Sequence, residues 1–435
     1  MAICRRPMRI GWMLAASLLC LAARGAELEY EAAPISYLTA QATDPVAHLM
    51  ADLESGKRQL RFDDRYGYLP AVLEALGVPE NSQTLVFSKT SFQAHLINPQ
   101  RPRALYFSDN VYIGYVPEGD VVEMSAADPA LGAVFYTLDQ KAVERPLIER
   151  RTHDCLQCHS SPRTCDVPGH VVRSVFPDRR GMPIYHAGTF DIDHTSPLSE
   201  RWGGWYVTGK HGKQTHMGNQ IARDVGGKAE IDSAAGANLL DLAGRCEIGA
   251  YLKPSSDIVA LMVLEHQTQM HNRIARAAIE ERMAAYYDES LNESLERPAD
   301  YRSETFHRRC DRQADKLLEY ALFCGETQLT EPIEGNSEFA VDFAAKGVRD
   351  AAGRSLRDLD LHTRLFRYPL SYLVYSEPMK QLPPAVKEHF YRGLGRVLAG
   401  EDRDPKYARL DGDTRRAIHE ILLATSEDYR ALSGR

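Results

Sequence analysis

The hydrophobic period changes twice along this chain of 435 residues. Two helical pieces come first, Asp44 to Glu54 and Leu69 to Leu76, the second stopped by Gly77 and Pro79. From Thr84 the period shortens. Residues 84–87, 104–107, 111–116 and 134–138 are short β-branched and aromatic runs punctuated by Asp, Asn, Gly and Pro, the pattern of strands. Asp109-Asn110 reads as a tight hairpin turn, so a small antiparallel sheet is expected. Residues 150–225 are rich in Gly, Pro and His, with strand-like pieces at 169–176, 184–190 and 205–208. Beyond Ser255 the pattern is helical. The run 257–287, with Ser256 as N-cap, has no charge between Ile258 and Leu264, which predicts a buried central helix. Further helices are expected over 303–324, 338–344, 364–375 with a break at Pro369, 384–399 and 412–425, with a long loop at 325–360. The fold class expected is α+β, an antiparallel β-rich N-terminal half followed by a mostly helical C-terminal half. The sequence divides into 1–25, a β-rich 26–140, a third region 141–250 and a helical 251–435.

The first of these regions is a leader in appearance. Arg5, Arg6 and Arg9 precede the apolar stretch Ile10 to Ala23, too short to span a bilayer comfortably, and Ala23-Arg24-Gly25 offers a small-x-small cleavage site. A cleaved signal peptide and a periplasmic or otherwise exported protein are expected. An uncleaved anchor is the alternative, and lipidation at Cys20 is disfavoured by Leu18 and Leu19. No later segment approaches 18 uninterrupted apolar residues, so no stable membrane span is expected after processing. Removing residues 1–25 takes away four arginines and no acids, which moves the net charge from −8 to −12. Acidity argues against nucleic acid and an anionic membrane surface as partners, and it allows a basic redox partner protein.

Candidate chemistry concentrates at Cys155-Leu156-Gln157-Cys158-His159. In an exported chain CxxCH is the spacing that holds haem covalently: each thiol forms a thioether to one porphyrin, and the histidine ligates the iron. The expectation is one covalent haem c per chain, with Cys155 and Cys158 as anchors and His159 as proximal ligand. For the opposite face the sequence offers Met182, His186, His194, His211, His216, Met217, His266 and His271. His216 is preferred and Met217 second, because they lie close to the cluster Trp202-Gly203-Gly204-Trp205 to Gly212. Arg163 and Arg173 are candidate partners for haem propionates, Arg173 being the one carried forward. On the central helix Glu265 and His266 interrupt an apolar run and need partners, which a haem edge or a helix-to-helix hydrogen bond would supply.

Two other readings use the same thiols. Cys155, Cys158, Cys165 and His170 give C-x2-C-x6-C-x4-H, close to a structural zinc loop, with His159 a bystander. A redox-active CxxC is the other, weakened because no βαβ pattern surrounds the motif and no helix is expected to start there. Of the remaining cysteines, Cys310 and Cys324 sit fourteen residues apart in one helical run, about 21 Å, beyond disulfide reach. Any bridge would therefore involve Cys165 or Cys246, and free thiols are an equal expectation.

The block Thr152 to His159 resembles the haem-attachment segment of c-type cytochromes. With Val167-Pro168-Gly169, Val171 to Val175, Trp202 to Gly209 and His216 to Asn219, it resembles a group of uncharacterised exported bacterial single-haem proteins. This resemblance covers 152–219 and implies no reaction. The chain departs from a small cytochrome c in that Pro162, Pro168 and Gly169 forbid a helix straight after the motif. It departs from di-haem peroxidases in having one CxxCH. Electron transfer is the expected activity. A haem-dependent oxidoreductase, peroxidase-like with an open distal site, is the alternative favoured by length, since a minimal carrier needs only about a hundred residues. A zinc-stabilised protein is the third.

Overall fold

The structure is a computed structural model that describes residues 30–434, so the expected leader, residues 1–25, lies outside the described residues. Two short helices, α1 (Pro45–Glu54) and α2 (Leu69–Ala75), precede six strands. These are β1 (Thr84–Val86), β2 (Arg103–Phe107), β3 (Val111–Tyr115), β4 (Val121–Asp128), β5 (Gly132–Asp139) and β6 (Ile148–Arg151). A short helix α3 (His153–His159) follows, then β7 (Arg173–Val175), β8 (Thr189–Asp191), β9 (Trp205–Tyr206), β10 (Arg223–Val225) and β11 (Lys228–Glu230). The C-terminal half is helical: α4 (Ile258–Ser294), α5 (Glu304–Ala321), α6 (Phe339–Ala345), α7 (Glu377–Lys380), α8 (Pro384–Ala399), α9 (Gly412–Thr425) and α10 (Glu427–Leu432).

Six strands form an antiparallel meander, and β9 joins its far edge to give the order β6-β5-β4-β3-β2-β1-β9. Alternation gives the sheet two unlike faces. One face buries Leu85, Tyr106, Ile113, Met124, Tyr136 and Leu138 against Val46 and Leu49 of α1 and Leu69 and Val72 of α2. Across the other face runs a row of directly paired residues, Phe107, Tyr112, Ser125, Phe135 and Arg151, one from each of five strands. This row meets α4 at Tyr112 and the CxxCH segment at Phe135.

Helix α4 begins at Ile258, one residue later than expected, because its N-cap is Asp257 and not Ser256: the Asp257 carboxylate accepts the N–H groups of Val259 and Ala260. Its second oxygen accepts from the backbone of Asn336 and Ser337, tying the loop 325–338 to the helix start. Residues 258–268 are buried all round; the apolar run 258–264 requires it, and the polar residues 265–268 that follow are buried with it. Helices α5 and α8 pack against them through Leu317, Leu318, Phe390 and Leu394. Strands β4 and β6 and helices α7 and α10 were not expected. In β4 the centre Ser125-Ala126-Ala127 forms strand poorly alone, and eight register pairs with β5 override that weakness. The expected helix 364–375 is absent. Pro369 lacks an N–H, the Leu365 N–H is taken by the Glu326 carboxylate, and only a single 3-10 turn forms at Tyr372–Tyr375.

Candidate functional site

Strand β6 ends at Arg151 and the chain turns at once into α3, so CxxCH is itself helical, contrary to expectation. Cys155 and Cys158, three apart, share a side of this short helix. It stops at His159 because Ser160 and Ser161 are extended and Pro162 opens a 3-10 turn, with Thr164 Oγ1 accepting the Ser161 N–H at 3.1 Å. Cys165 and Asp166 then adopt left-handed backbone at φ 60° and 59°, which reverses the chain and brings Gly169 alongside His159.

Two hydrogen bonds seal this return. The Gly169 N–H donates to the His159 carbonyl at 2.8 Å, and His159 Nδ1–H donates to the Gly169 carbonyl at 2.9 Å. A carbonyl can only accept, so the proton is on Nδ1 and the lone pair is on Nε2, the tautomer a metal-ligating histidine needs. The ring packs on Phe135 with centroids 4.8 Å apart and stays partly exposed. Gly169 is held from behind by Asn272 of α4. Asn272 Oδ1 accepts the His170 N–H and Nδ2 donates to the His170 carbonyl, both at 2.8 Å, while a Cβ on residue 169 would stand 2.4 Å from that Oδ1.

Beside the motif lies a polar stretch of the same sheet face. Arg103 pairs with Glu123 at 2.6 Å, Gln93 donates to the other Glu123 oxygen at 3.0 Å, and Arg151 lies over the exposed ring of Phe92. Burial, with the charges of Glu123 and Asp154, pushes the Cys155 thiol up to about 11. That is opposite to the lowered thiol of a redox-active CxxC. All six described cysteines are free thiols.

The zinc set does not assemble. His170 Nε2 is engaged with Ser125 Oγ at 3.1 Å, and Cys165 faces Gln269. Among the described residues no group of three or more His, Cys, Asp or Glu side chains is gathered as metal ligands would be.

The two preferred distal residues, His216 and Met217, are not brought to His159. They pack beyond Trp205 at the β9 edge of the sheet, five strand spacings or about 24 Å from β5. There His216 Nδ1 accepts the Gly218 N–H at 3.0 Å, His211 Nε2 accepts the Asn238 N–H at 2.9 Å, and Met217 Sδ lies 3.6 Å from Ser174 Oγ. Burial pushes His216 down to about 3. His194 and His266 face each other, Nδ1 to Nδ1 at 2.9 Å, so one proton lies between them, and His266 Nε2 meets Ser371 Oγ. His271 Nδ1 meets the Tyr112 hydroxyl at 2.8 Å, and burial pushes it too down to about 3. His186 faces Asp224 on the surface, and Met182 lies in the turn 178–182.

Glu265 finds its partners in Arg201 and in Trp202 Nε1, which belong to a loop and not to a second helix. Arg163 pairs with Asp191 at 3.0 Å. The Arg173 guanidinium donates weakly to Thr189 Oγ1 at 3.4 Å, and its Nε has no partner among the described residues. Sequence reasoning missed Asn272, Phe135 and the Arg103–Glu123 pair, none of which lies near the motif in the chain. No described helix is long and apolar enough to cross a membrane. The chain matches no family model, no curated protein and no solved structure.

Proposed function

We propose that the chain is an exported monohaem c-type protein whose activity is electron transfer. Cys155 and Cys158 would anchor one haem by thioethers, and His159 would be the iron's axial ligand. The observation that carries this reading is the His159–Gly169 hydrogen bond, which leaves Nε2 with its lone pair, partly exposed, beside two free thiols. A haem held there would supply reversible one-electron storage at iron. The chain's own part is to hold the imidazole in one tautomer and orientation: Asn272 fixes residue 170, residue 170 carries the Gly169 carbonyl, and that carbonyl holds the ring. Arg103 and Arg151 border the motif and are the cations we assign to propionates; Arg103 would share its guanidinium with Glu123, and Arg163 is paired with Asp191 away from that face.

A second reading is a haem-dependent oxidoreductase with an open sixth position. It is favoured because the two preferred distal ligands stand at the far edge of the sheet. One experiment tests both readings: visible spectra of the protein exported from a haem-attaching host, recorded oxidised, reduced, and reduced under carbon monoxide. Covalent haem with low-spin bands indifferent to carbon monoxide supports the carrier, and a carbon monoxide shift supports the enzyme. A protein without haem overturns both.

A further inference from the structure

A cleft of about 180 Å³ opens in the helical half, between the end of α5 and the loops around residues 326–328, 363–369 and 406–410. It is slightly larger than an apolar cavity that takes one benzene ring. Leu322, Phe323 and Leu410 give it an apolar floor, and Phe323 stacks at 4.3 Å on His266 of α4, so the floor is fixed to the core.

Three cations line the same cleft, and two of them are engaged. Lys406 pairs with Glu319 at 2.7 Å and with Asp404 at 3.4 Å, and Arg409 donates to the Glu326 carbonyl. Arg364 is different: its guanidinium makes no ion pair or hydrogen bond among the described residues. The one acid of the lining is Glu326, 7 % exposed, with a carboxylate oxygen accepting the Leu365 N–H at 2.8 Å. Burial pushes Glu326 up to about 7, so at neutral pH it cancels less than a full positive charge. A guanidinium without hydrogen bonds among the described residues, felt at longer range by Glu326 and Asp411 and lining the same cleft as an apolar floor of benzene size, is complementary to a planar anion with a small apolar body.

We propose that this cleft binds a small organic carboxylate, held bidentately by Arg364 with its apolar body on Phe323, Leu322 and Leu410. The proposal is independent of haem at Cys155 and Cys158.

The test is calorimetric titration of the full exported chain with acetate, butyrate and benzoate, and with benzamide as the uncharged match for benzoate. Saturable carboxylate binding is expected, with benzoate at least tenfold tighter than benzamide. Arg364→Gln should weaken benzoate about tenfold or more, the loss of a charge-assisted pair. Arg364→Lys should fall between, because it keeps the charge and loses the fork. Arg416→Gln, on a separate groove beside His419, should change nothing. Absence of saturable binding for all three carboxylates overturns the proposal, as does equal affinity for benzoate and benzamide. Unaltered benzoate affinity in a folded Arg364→Gln protein overturns it too. If that variant does not fold, the benzoate-to-benzamide ratio of the native chain decides.

Discussion

His159 and His216 lie toward opposite edges of one sheet, and they differ in what the backbone takes from ring nitrogen Nδ1: its proton in His159, its lone pair in His216. At the β6 edge a carbonyl accepts from His159 Nδ1, so the proton is used and the lone pair on Nε2 is spare. At the β9 edge an N–H donates to His216 Nδ1, so the lone pair is used and Nε2 carries a proton with no partner among the described residues. A ring whose lone pair is taken by the backbone is a clamp for a loop, and a ring whose proton is taken is a ligand in waiting. The same logic makes His211 a clamp, since its Nε2 accepts from Asn238. The availability of an imidazole is therefore decided by one backbone group. Its position in a cluster of tryptophans and histidines decides much less.

The widest break in this comparison is all-or-none. On the proposed haem reading, Cys155→Ala with Cys158→Ala should abolish covalent haem, read as loss of haem absorbance on the denatured polypeptide, whereas His216→Ala should leave the spectrum and spin state unchanged. A spin-state change in His216→Ala would instead return that residue to the iron.

Next in size is the buried pair behind the β9 edge. Glu265→Ala strands the Arg201 guanidinium, which is almost fully buried, and should cost about 3–5 kcal/mol by urea denaturation. Its haem content per folded molecule should be native. At the β6 edge Asn272→Leu removes both partners of the His170 backbone and should cost about 2–4 kcal/mol. Here the haem spectrum should shift as well, since the Gly169 carbonyl loses its support. A stability loss with no spectral change would make Asn272 structural only.

Much of this was legible in the chain. The apolar run 258–264 announced the central helix, and Pro384 to Ala399 and Gly412 to Thr425 form helices over the expected residues. Strand β4 was hidden because Ser125-Ala126-Ala127 owes its conformation to β3 and β5, partners no local pattern reveals. At the site, the motif named its own three residues and nothing else. Asn272 lies 113 positions after His159, and Phe135 reaches it only through strand register. The cluster at 202–219 misled for the converse reason: nearness in sequence to Trp202 and Trp205 is real packing, with Trp202 and His216 rings 5.4 Å apart, and it serves the loop.

Acid offers a graded version of the same comparison. His216 is pushed down to about 3 in the folded chain, below its ordinary value near 6.5, because burial disfavours the charged ring. The neutral ring is thus favoured by folding. Its contribution is complete above about pH 6.5 and is lost as pH falls toward 3, at up to about 1.4 kcal/mol per pH unit. His216→Asn, which offers an amide oxygen to the Gly218 N–H, should flatten the pH dependence of unfolding free energy by about one proton in that window. Equal slopes for the two proteins would show that His216 titrates alike folded and unfolded.

The smallest effect sharpens the assignment of cations near the motif. Arg163 follows His159 by four residues, and by sequence it was a propionate candidate, yet it spends its guanidinium on Asp191 across an exposed surface, with both side chains more than 40 % accessible. An exposed pair of this kind is worth about 1 kcal/mol or less, and salt screens it further. Arg163→Gln should therefore lower stability by less than about 1 kcal/mol, with the deficit shrinking in high salt, and should leave the haem reduction potential unmoved. Arg103→Gln is the matched variant: it unpairs Glu123 beside His159, and the potential should move. A shift in the first variant and none in the second would exchange the roles of the two arginines and place the propionates on the β8 side of the motif.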